Sequence, residues 1–199
     1  MKLAIYLAGS IQKDHEKNDT FWSSEHMDRL RSLLNPIELS FLNPAFRTDD
    51  LSDSYSIFGR DMLQVFSSDL IFVDARDRRG LGVGAEMMWA KLNSLPVLTW
   101  SPENTHYNKK KATLLGVAVE HYVHPFVASL SDKIVSTLEE AAEWLKGFPY
   151  KEVKGREHIE KAMEYYKLTQ LQHDTPMLEL LRNNEGLKDR FIVADFANL

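Results

Sequence analysis

Short apolar runs alternate with amphipathic segments along most of this chain, and that alternation constrains the fold more than any other feature of the sequence. The runs cover residues 3–8, 37–42, 70–73 and 96–100, and helical spacing of apolar residues follows in 20–34 and 55–67. Buried strands that alternate with helices are typical of parallel βαβ units. The pattern therefore predicts an α/β fold with a doubly wound parallel sheet, and we expect a fifth strand at 121–123.

The last quarter of the sequence has a different pattern. We expect residues 131–147 to form a helix that Ser131 caps and Gly147 ends. Beyond it the chain is charged and amphipathic, with a helix over 151–172 and another that starts at Thr175-Pro176 with proline in the first position. We therefore predict one α/β domain over 1–147 and a C-terminal helical extension over 148–199. The stretch 108–117 fits a short basic helix.

Composition excludes several classes of protein. The chain has 199 residues, of which 44% are hydrophobic and 27% are charged, as expected of a globular protein. It contains no cysteine, so disulfides, thiolate metal sites and cysteine nucleophiles are excluded. A net charge of −5 gives no reason to expect a nucleic-acid polymer as ligand. No apolar stretch approaches the ~20 residues that a membrane span needs. The first residues do not have the pattern of a signal peptide, so we expect a cytoplasmic protein.

Glu86 is the most unusual acidic residue in the sequence. It lies three residues after Val83 and four before Ala90, on the helix face that should pack against the sheet. We also expect it in the first turn of its helix, where free N–H groups favour the ionised form. A desolvated carboxylate at the end of a strand is what a carboxylate nucleophile requires. The alternative is an acid that only caps the helix.

Asp61 shows the same anomaly on another predicted helix. It lies within a stripe formed by Tyr55, Phe58, Met62 and Val65, which we expect to face the core. A charge in such a stripe needs a ligand or an ion pair. The structural alternative is a salt bridge to an arginine, and the candidates in the sequence are Arg60, Arg76 and Arg78.

Two glycine-containing turns follow predicted strands. The segment Tyr6–Ser10 ends the first strand in a Gly-Ser turn, whose backbone N–H groups can hold phosphate or hydroxyl oxygens. The glycines at 80, 82 and 84 are spaced GxGxG after the third strand, which does not fit an NAD fingerprint. His121 and His124 lack a third ligand, so no metal site is expected. Trp22 fits helix packing better than stacking on a base.

Four segments taken together resemble the nucleoside 2-deoxyribosyltransferase superfamily, which includes the 2'-deoxynucleoside 5'-phosphate N-hydrolases. They are YLAGSI (6–11), the pair Asn43-Pro44, RDMLQVFSSDLIFVDA (60–75) and GLGVGAEMMWA (80–90), in the order the family has them. The resemblance implies a flavodoxin-like parallel sheet of about five strands. It also implies cleavage of the N-glycosidic bond of a nucleoside or nucleotide, with no cofactor.

The resemblance also implies roles for particular residues. Glu86 matches the nucleophile that attacks C1' of the sugar, Tyr6 the tyrosine that holds this nucleophile, and Asp61 the aspartate that handles the base or sugar. The residues matched to substrate binding are Gly9, Ser10, Ile11 and Gly82. A neighbouring subunit completes the site in the family, so a homo-oligomer is implied, with Asn108 and Thr113 as candidates for that contribution.

Three functions remain open at this point. A covalent sugar–Glu86 intermediate would give base exchange if a second base attacks it, and hydrolysis if water does. Base exchange would make the chain a 2-deoxyribosyltransferase, and hydrolysis would make it an N-glycosidase of (deoxy)nucleoside 5'-monophosphates. The third is a non-catalytic nucleotide-binding module whose C-terminal helices serve a partner.

Overall fold

A computed structural model describes residues 1–11, 21–149 and 152–192 of the chain. The first compact unit ends at Gly155 and the second begins at Arg156. Thr20 and Lys151, where two helices were predicted to start, lie outside the described residues. In chain order the first unit contains β1 (Lys2–Ala8), α1 (Ser24–Leu34), β2 (Glu38–Leu42), α2 (Ser54–Phe66), β3 (Leu70–Asp74), α3 (Leu81–Leu92), β4 (Val97–Trp100), β5 (Asn108–Leu114), β6 (Val117–Val123), α4 (Pro125–Leu130), β7 (Lys133–Val135) and α5 (Leu138–Lys146).

The central sheet has five parallel strands in the order β2-β1-β3-β4-β7. The predicted doubly wound α/β fold is therefore confirmed. Strand β1 lies between β2 and β3, so that Tyr6 is in register with Leu42 on one side and with Ile71 on the other. The strand order reverses at β1, and in sheets of this kind ligands bind in the crevice outside the carboxyl ends of the strands at that point.

Each face of the sheet carries its own apolar core. On one face α1 and α5 contribute Met27, Leu30, Ala141 and Leu145. On the other face α2, α3 and α4 contribute Val65, Val83, Met87, Ala90 and Leu130. Strands buried on both faces are near-continuous apolar runs, which is why β1, β3 and β4 could be predicted directly from the sequence.

The fifth strand of the sheet differs from the prediction. It is β7, whereas residues 121–123 belong to β6, which pairs with β5 in a separate antiparallel hairpin. The stretch from Asn108 that was predicted as a basic helix is thus a strand. In a two-stranded hairpin one face stays in solvent, so exposed lysines such as Lys111 are compatible with strand structure.

Helix α5 also begins later than predicted. The hydroxyl of Ser131 contacts Thr99 Oγ1 at 2.7 Å rather than capping a helix. The cap is instead Thr137, whose side chain accepts a hydrogen bond from the Glu140 N–H. Gly147 is the C-cap, as expected. Residues Lys133–Val135 pair with β4 as strand β7, so the helix starts only after them.

The second unit is helical. It contains α6 (Arg156–Thr169), a 3₁₀ turn (Leu171–His173), α7 (Thr175–Arg182) and α8 (Glu185–Ile192), the last of which was not predicted. Asp174 caps α7 and accepts a hydrogen bond from the Tyr166 hydroxyl at 2.7 Å. Pro176 is the second residue of α7 rather than the first. Among the described residues, none of the helices is both long and apolar enough to span a membrane.

A buried ion pair joins α3 to the segment before β7. Lys91 and Asp132 have side chains that are 1% and 3% exposed, and the Lys91 ammonium group contacts Asp132 Oδ2. The same carboxylate accepts hydrogen bonds from the Val97 N–H at 2.6 Å and from the Lys154 N–H at 2.6 Å. Asp132 thus fixes the edge of the sheet, where β4 meets β7.

We expect Lys91→Met to destabilise the protein by about 3 kcal/mol or more, because it leaves a buried carboxylate without its cation. Urea unfolding of the full chain measures the loss. Lys146→Met is the matched control, since Lys146 pairs with Glu143 in solvent at 3.2 Å, and should lose less than about 1 kcal/mol. Lys91→Met/Asp132→Asn should recover part of the loss. Equal losses in the two single variants would contradict a structural role for the buried pair.

Candidate active site

Glu86 lies on the inner side of α3, as its spacing from Val83 and Ala90 predicted. It is 8% exposed and shares this side with Val83, Met87 and Ala90. The prediction that it lies in the first turn is wrong. The helix starts at Leu81 and contains no acidic residue in its first turn, so Glu86 is its sixth residue. The free N–H groups of the helix N-terminus are therefore too far back along the helix to stabilise its charge.

The Tyr6 hydroxyl holds the Glu86 carboxylate in place. Tyr6 is fully buried in β1, and its hydroxyl donates a hydrogen bond to Glu86 Oε1 at 2.8 Å. The other oxygen, Oε2, is buried and has no hydrogen-bond partner in the part of the chain that the structure describes. A carboxylate bound through one oxygen keeps a fixed orientation, and its second oxygen stays available for a substrate.

Burial controls the protonation of both groups. Burial raises the pKa of Glu86 to about 7, an effect that the Tyr6 hydrogen bond partly offsets and the nearby charge of Asp61 increases. The pKa of Tyr6 is also raised, first by burial and then by the Glu86 carboxylate, so Tyr6 remains a hydrogen-bond donor. Near neutral pH, Glu86 is therefore present in both its charged and its neutral form.

Asp61 lies in the middle of α2, where Asp53 caps the helix by accepting hydrogen bonds from the Tyr55 and Ser56 N–H groups. The prediction that the stripe around Asp61 faces the core is correct for Val65 and wrong for Tyr55 and Phe58. Tyr55 and Phe58 are 87% and 60% exposed, and Val65 is the buried residue of this helix. The two aromatic side chains face solvent, whereas the Asp61 side chain is 16% exposed and contacts Arg47 of the loop after β2.

Two arginines hold Asp61. Arg60 Nη1 lies 3.5 Å from Asp61 Oδ1, and Arg47 Nη1 lies 3.4 Å from the same oxygen. Of the three arginines considered from the sequence, Arg60 is therefore the partner in the structure. Burial raises the pKa of Asp61, whereas Arg47 and Arg60 oppose that rise. The charge of Asp61 in turn raises the pKa of Glu86 and of Tyr6, so these three predicted residues share one electrostatic environment.

Arg47 comes from the loop that follows β2. Asn43 starts this loop, since its side chain accepts a hydrogen bond from the Ala45 N–H and its carbonyl accepts one from the Phe46 N–H. Arg47 then forms two hydrogen bonds with Asp49, from Nε at 2.9 Å and from Nη2 at 2.6 Å. An open cavity of about 520 Å³ beside them is lined by Phe46, Arg47, Thr48, Asp49 and Arg60.

The Gly-Ser turn after β1 packs beneath a tryptophan. A Cβ atom at Gly9 would come within 3.2 Å of Trp22 Cδ1, so only glycine fits without displacing the ring. Trp22 Nε1 donates to the Ala8 carbonyl, and the ring packs on Phe72. The preference for a packing role of Trp22 is therefore confirmed. Ile11 is 43% exposed at the end of the turn.

Arginines from the loop after β3 reach the same turn. Arg79 Nη1 donates a hydrogen bond to Ser10 Oγ at 2.9 Å, and Arg79 Nη2 pairs with Asp74 at 2.9 Å. Arg76 binds the same carboxylate through Nε and Nη2. Burial of Asp74 opposes its ionisation, but these contacts keep its pKa below the usual value. Gly82 lies beside the catalytic candidate, because a Cβ there would be 4.0 Å from Glu86 Oε1.

The structure thus brings Tyr6, Asp61, Gly82 and Glu86 together. Gly9, Ser10 and Ile11 come directly after the strand that carries Tyr6, and the Ser10 hydroxyl accepts a hydrogen bond from Arg79. Asn108 donates to the Ser101 carbonyl at 2.9 Å, and Thr113 is exposed on the hairpin. Within 1–11, 21–149 and 152–192, no three His, Asp or Glu residues cluster in a way that could hold a metal ion.

Sequence reasoning missed Arg47 and Arg79. Both lie in loops that follow strands, and their partners are distant in sequence, Asp61 for Arg47 and Ser10 for Arg79. The one signal available for Arg47 was its place in a loop rich in acids, among Asp49, Asp50 and Asp53. Such a signal does not specify which carboxylate the arginine contacts.

Comparison with known proteins establishes the fold independently. No protein-family model matches the sequence, and a search of curated proteins also gives no match. Among solved structures, a conserved protein from Enterococcus faecalis V583 has a TM-score of 0.55 and 20% identity, covering 73% of this chain and 98% of that one. The 2-desoxiribosyltransferase from Leishmania mexicana has a TM-score of 0.50 and 17% identity, covering 74% and 99%. The 2-deoxyribosyltransferase from Bacillus psychrosaccharolyticus has a TM-score of 0.48 and 12% identity, covering 70% and 90%. The first two show that this chain has the fold that the sequence resemblance implied.

Glu86→Gln should change how stability depends on pH. A group whose pKa is raised on folding binds more protons in the folded state, so wild-type stability falls as the pH rises from 4.5 towards 7. Glutamine cannot ionise, and its carbonyl can still accept the Tyr6 hydrogen bond. Between pH 5 and pH 8 we expect Glu86→Gln to gain about 2 kcal/mol relative to wild type, as measured by urea unfolding at both pH values. Glu143→Gln, at an exposed carboxylate, should show no such gain. Parallel pH profiles for wild type and Glu86→Gln would show that the folded-state pKa of Glu86 is not raised.

Proposed function

We propose that this protein is an enzyme of the nucleoside 2-deoxyribosyltransferase superfamily that cleaves the N-glycosidic bond of a (2'-deoxy)nucleoside and transfers the sugar to another base. The observation that carries this proposal is the state of Glu86. One oxygen of a buried carboxylate is held by Tyr6, while the other is desolvated and without a partner in the described part of the chain. This is the arrangement that a carboxylate nucleophile needs. The fold shared with a 2-desoxiribosyltransferase supports the assignment.

In the first step, Glu86 Oε2 attacks C1' of the sugar as the bond from C1' to the base nitrogen breaks. The electron pair of that bond stays on the base, which takes up a proton. A covalent bond between C1' and the Glu86 carboxylate results, through an oxocarbenium-like transition state. Attack requires the charged form of Glu86, which the Tyr6 hydroxyl stabilises at Oε1. Asp61, held on the α2 flank, supplies the proton for the departing base.

In the second step, the nitrogen of an incoming base attacks C1' and the bond to Glu86 breaks. The Glu86 carboxylate is regenerated, and the proton released by the new base returns to Asp61. Burial raises the pKa of Asp61, whereas Arg47 and Arg60 limit the rise, so this side chain can be used in both directions. Two carboxylates in different environments thus take different roles in one reaction.

Hydrolysis of a (deoxy)nucleoside 5'-monophosphate is the second candidate function. The contact between the Arg79 guanidinium and Ser10 favours it, since this places a cation at the turn that the resemblance assigns to a sugar or 5'-phosphate. The discriminating assay compares a deoxynucleoside with its 5'-monophosphate, each with and without a second free base. Base exchange supports transfer, and release of free sugar or sugar phosphate supports hydrolysis.

We also propose that the protein is a homo-oligomer. Three aromatic residues on α2, Tyr55, Phe58 and Phe66, are each more than half exposed and form an apolar stripe with the partly exposed Met62. Several large apolar side chains on one face of a helix, turned towards water, mark an interaction surface. A second copy of the chain covers this face.

Glu86→Ala should lower kcat/KM by at least about 10³-fold at pH 8, where wild-type Glu86 is mostly ionised. Chromatography of released base, with and without an acceptor base, gives the rate and the type of product. Glu143→Ala changes an exposed glutamate elsewhere and should keep wild-type activity. If wild type and Glu86→Ala cleave nothing yet bind nucleotides equally well, the protein is a binding module rather than an enzyme.

Phe58→Glu/Phe66→Glu should dissociate the oligomer, because each substitution places a charge in the apolar stripe of α2. Light scattering coupled to size exclusion should then give a mass near the 22.9 kDa of one chain, against a multiple of it for wild type. Phe126→Glu on α4 introduces a charge at another exposed aromatic and should leave the wild-type mass unchanged. A monomeric wild-type protein would contradict the proposal.

A further inference from the structure

We infer that Arg47 is a positioning residue that acts on the proposed reaction through Asp61. The inference rests on the proposed function, in which Asp61 exchanges a proton with the base. Arg47 belongs to the loop after β2, 14 residues before Asp61 in sequence, and its guanidinium group contacts Asp61 on α2. Its side chain is 7% exposed, which is unusual for an arginine in a loop and shows that the guanidinium group is enclosed by its partners.

The geometry fixes the guanidinium group in one orientation. Asp49 binds it on one edge through two oxygens, at 2.9 Å from Nε and 2.6 Å from Nη2. The remaining Nη1 lies 3.4 Å from Asp61 Oδ1. A bidentate pair on one edge directs the third nitrogen of the planar group. Asp49 therefore aims Arg47 at Asp61.

Arg60 makes the reciprocal connection from α2 back to the loop. Its Nη2 donates to the Phe46 carbonyl at 2.8 Å, and its Nε lies 3.9 Å from Asp49 Oδ1. Loop and helix are thus joined by two arginines that point in opposite directions. Within this group of charged residues, the Asp61 carboxylate also raises the pKa of Glu86. The two arginines are therefore linked through Asp61 to the proposed nucleophile.

This arrangement affects chemistry as well as structure. A partly buried carboxylate without a nearby cation favours its neutral form. In the second step Asp61 must accept a proton from the incoming base, and it can do so only when it is ionised. The charged groups around Asp61 come from every element that packs near it. They are Arg47 and Asp49 on the loop, Arg60 on α2, Glu86 on α3 and Tyr6 on β1. Of the two cations, Arg47 is the one that a residue of its own loop, Asp49, holds in a fixed orientation.

A double-mutant cycle tests the inference. For the acceptor base, whose kcat/KM reports the second step, we expect Arg47→Gln to lower kcat/KM about 50-fold and Asp61→Asn to lower it about 10³-fold, with little change in KM. If Arg47 acts through Asp61, Arg47→Gln/Asp61→Asn will match Asp61→Asn alone within about 3-fold. Losses that multiply to about 10⁴-fold or more would overturn the inference, because they would show that Arg47 acts independently of Asp61.

Two further variants separate this role from a general effect on folding. Arg47→Lys keeps the charge and should recover at least about 5-fold of the activity lost in Arg47→Gln, whereas no recovery contradicts the inference. Arg29→Gln is the matched control, since it removes an arginine that pairs with Glu139 at 2.7 Å in solvent, and it should keep wild-type activity. A loss in Arg29→Gln as large as that in Arg47→Gln would also contradict a role specific to Asp61.

A measurement without substrate distinguishes failure of the inference from failure of the proposed function. Carboxyl-carbon NMR follows the titration of Asp61 in wild type and in Arg47→Gln. The midpoint should move to higher pH in the variant, because a nearby cation has been removed. A wild-type protein with no glycosidic activity would contradict the proposed function, and an unchanged midpoint would overturn the inference whether or not the enzyme is active.

Discussion

The hydrogen bond between Tyr6 and Glu86 is the interaction on which the candidate site depends. It joins a fully buried strand residue to a carboxylate on the inner side of α3, two elements separated by 80 residues in sequence. A buried carboxylate is unfavourable unless it is hydrogen-bonded, and here a single donor satisfies a single oxygen. The fold therefore keeps Glu86 oriented but poorly solvated. Such an arrangement lowers the stability of the ionised protein and makes the carboxylate more reactive.

The sheet explains why these groups meet. Strand β1 lies at the point where the strand order reverses, so the turn after it and the loop between β3 and α3 open on the same side. Arginines occupy that edge in two groups. Arg76 and Arg79 surround Asp74, with Arg79 also reaching Ser10, and Arg47 and Arg60 surround Asp61. Each group neutralises a carboxylate that the fold partly or completely removes from water.

Predictions from the sequence succeeded for strands that are buried on both faces. They failed where one sequence pattern is compatible with two different structures. Strands buried on both faces, such as β3, are continuous apolar runs and can be recognised without any alternation of apolar and polar residues. The stripe predicted on α2 divides in the structure, with Val65 in the core and Tyr55 and Phe58 in solvent, because hydrophobic spacing does not show what each side chain contacts. The stretch 108–117 was misjudged for a similar reason, since a solvent-exposed hairpin and a basic helix can have the same composition.

The sequence by itself determined the α/β architecture, the doubly wound sheet and the choice of Tyr6, Asp61 and Glu86 as candidates. Local periodicity and the order of short motifs carry that information. Tertiary structure alone decided that Glu86 lies in the second turn of its helix, that one of its oxygens is bound by Tyr6, and that Arg47 joins Arg60 as a cation beside Asp61. These facts depend on contacts between residues far apart in the chain, and spacing along a sequence does not specify which distant side chains will meet.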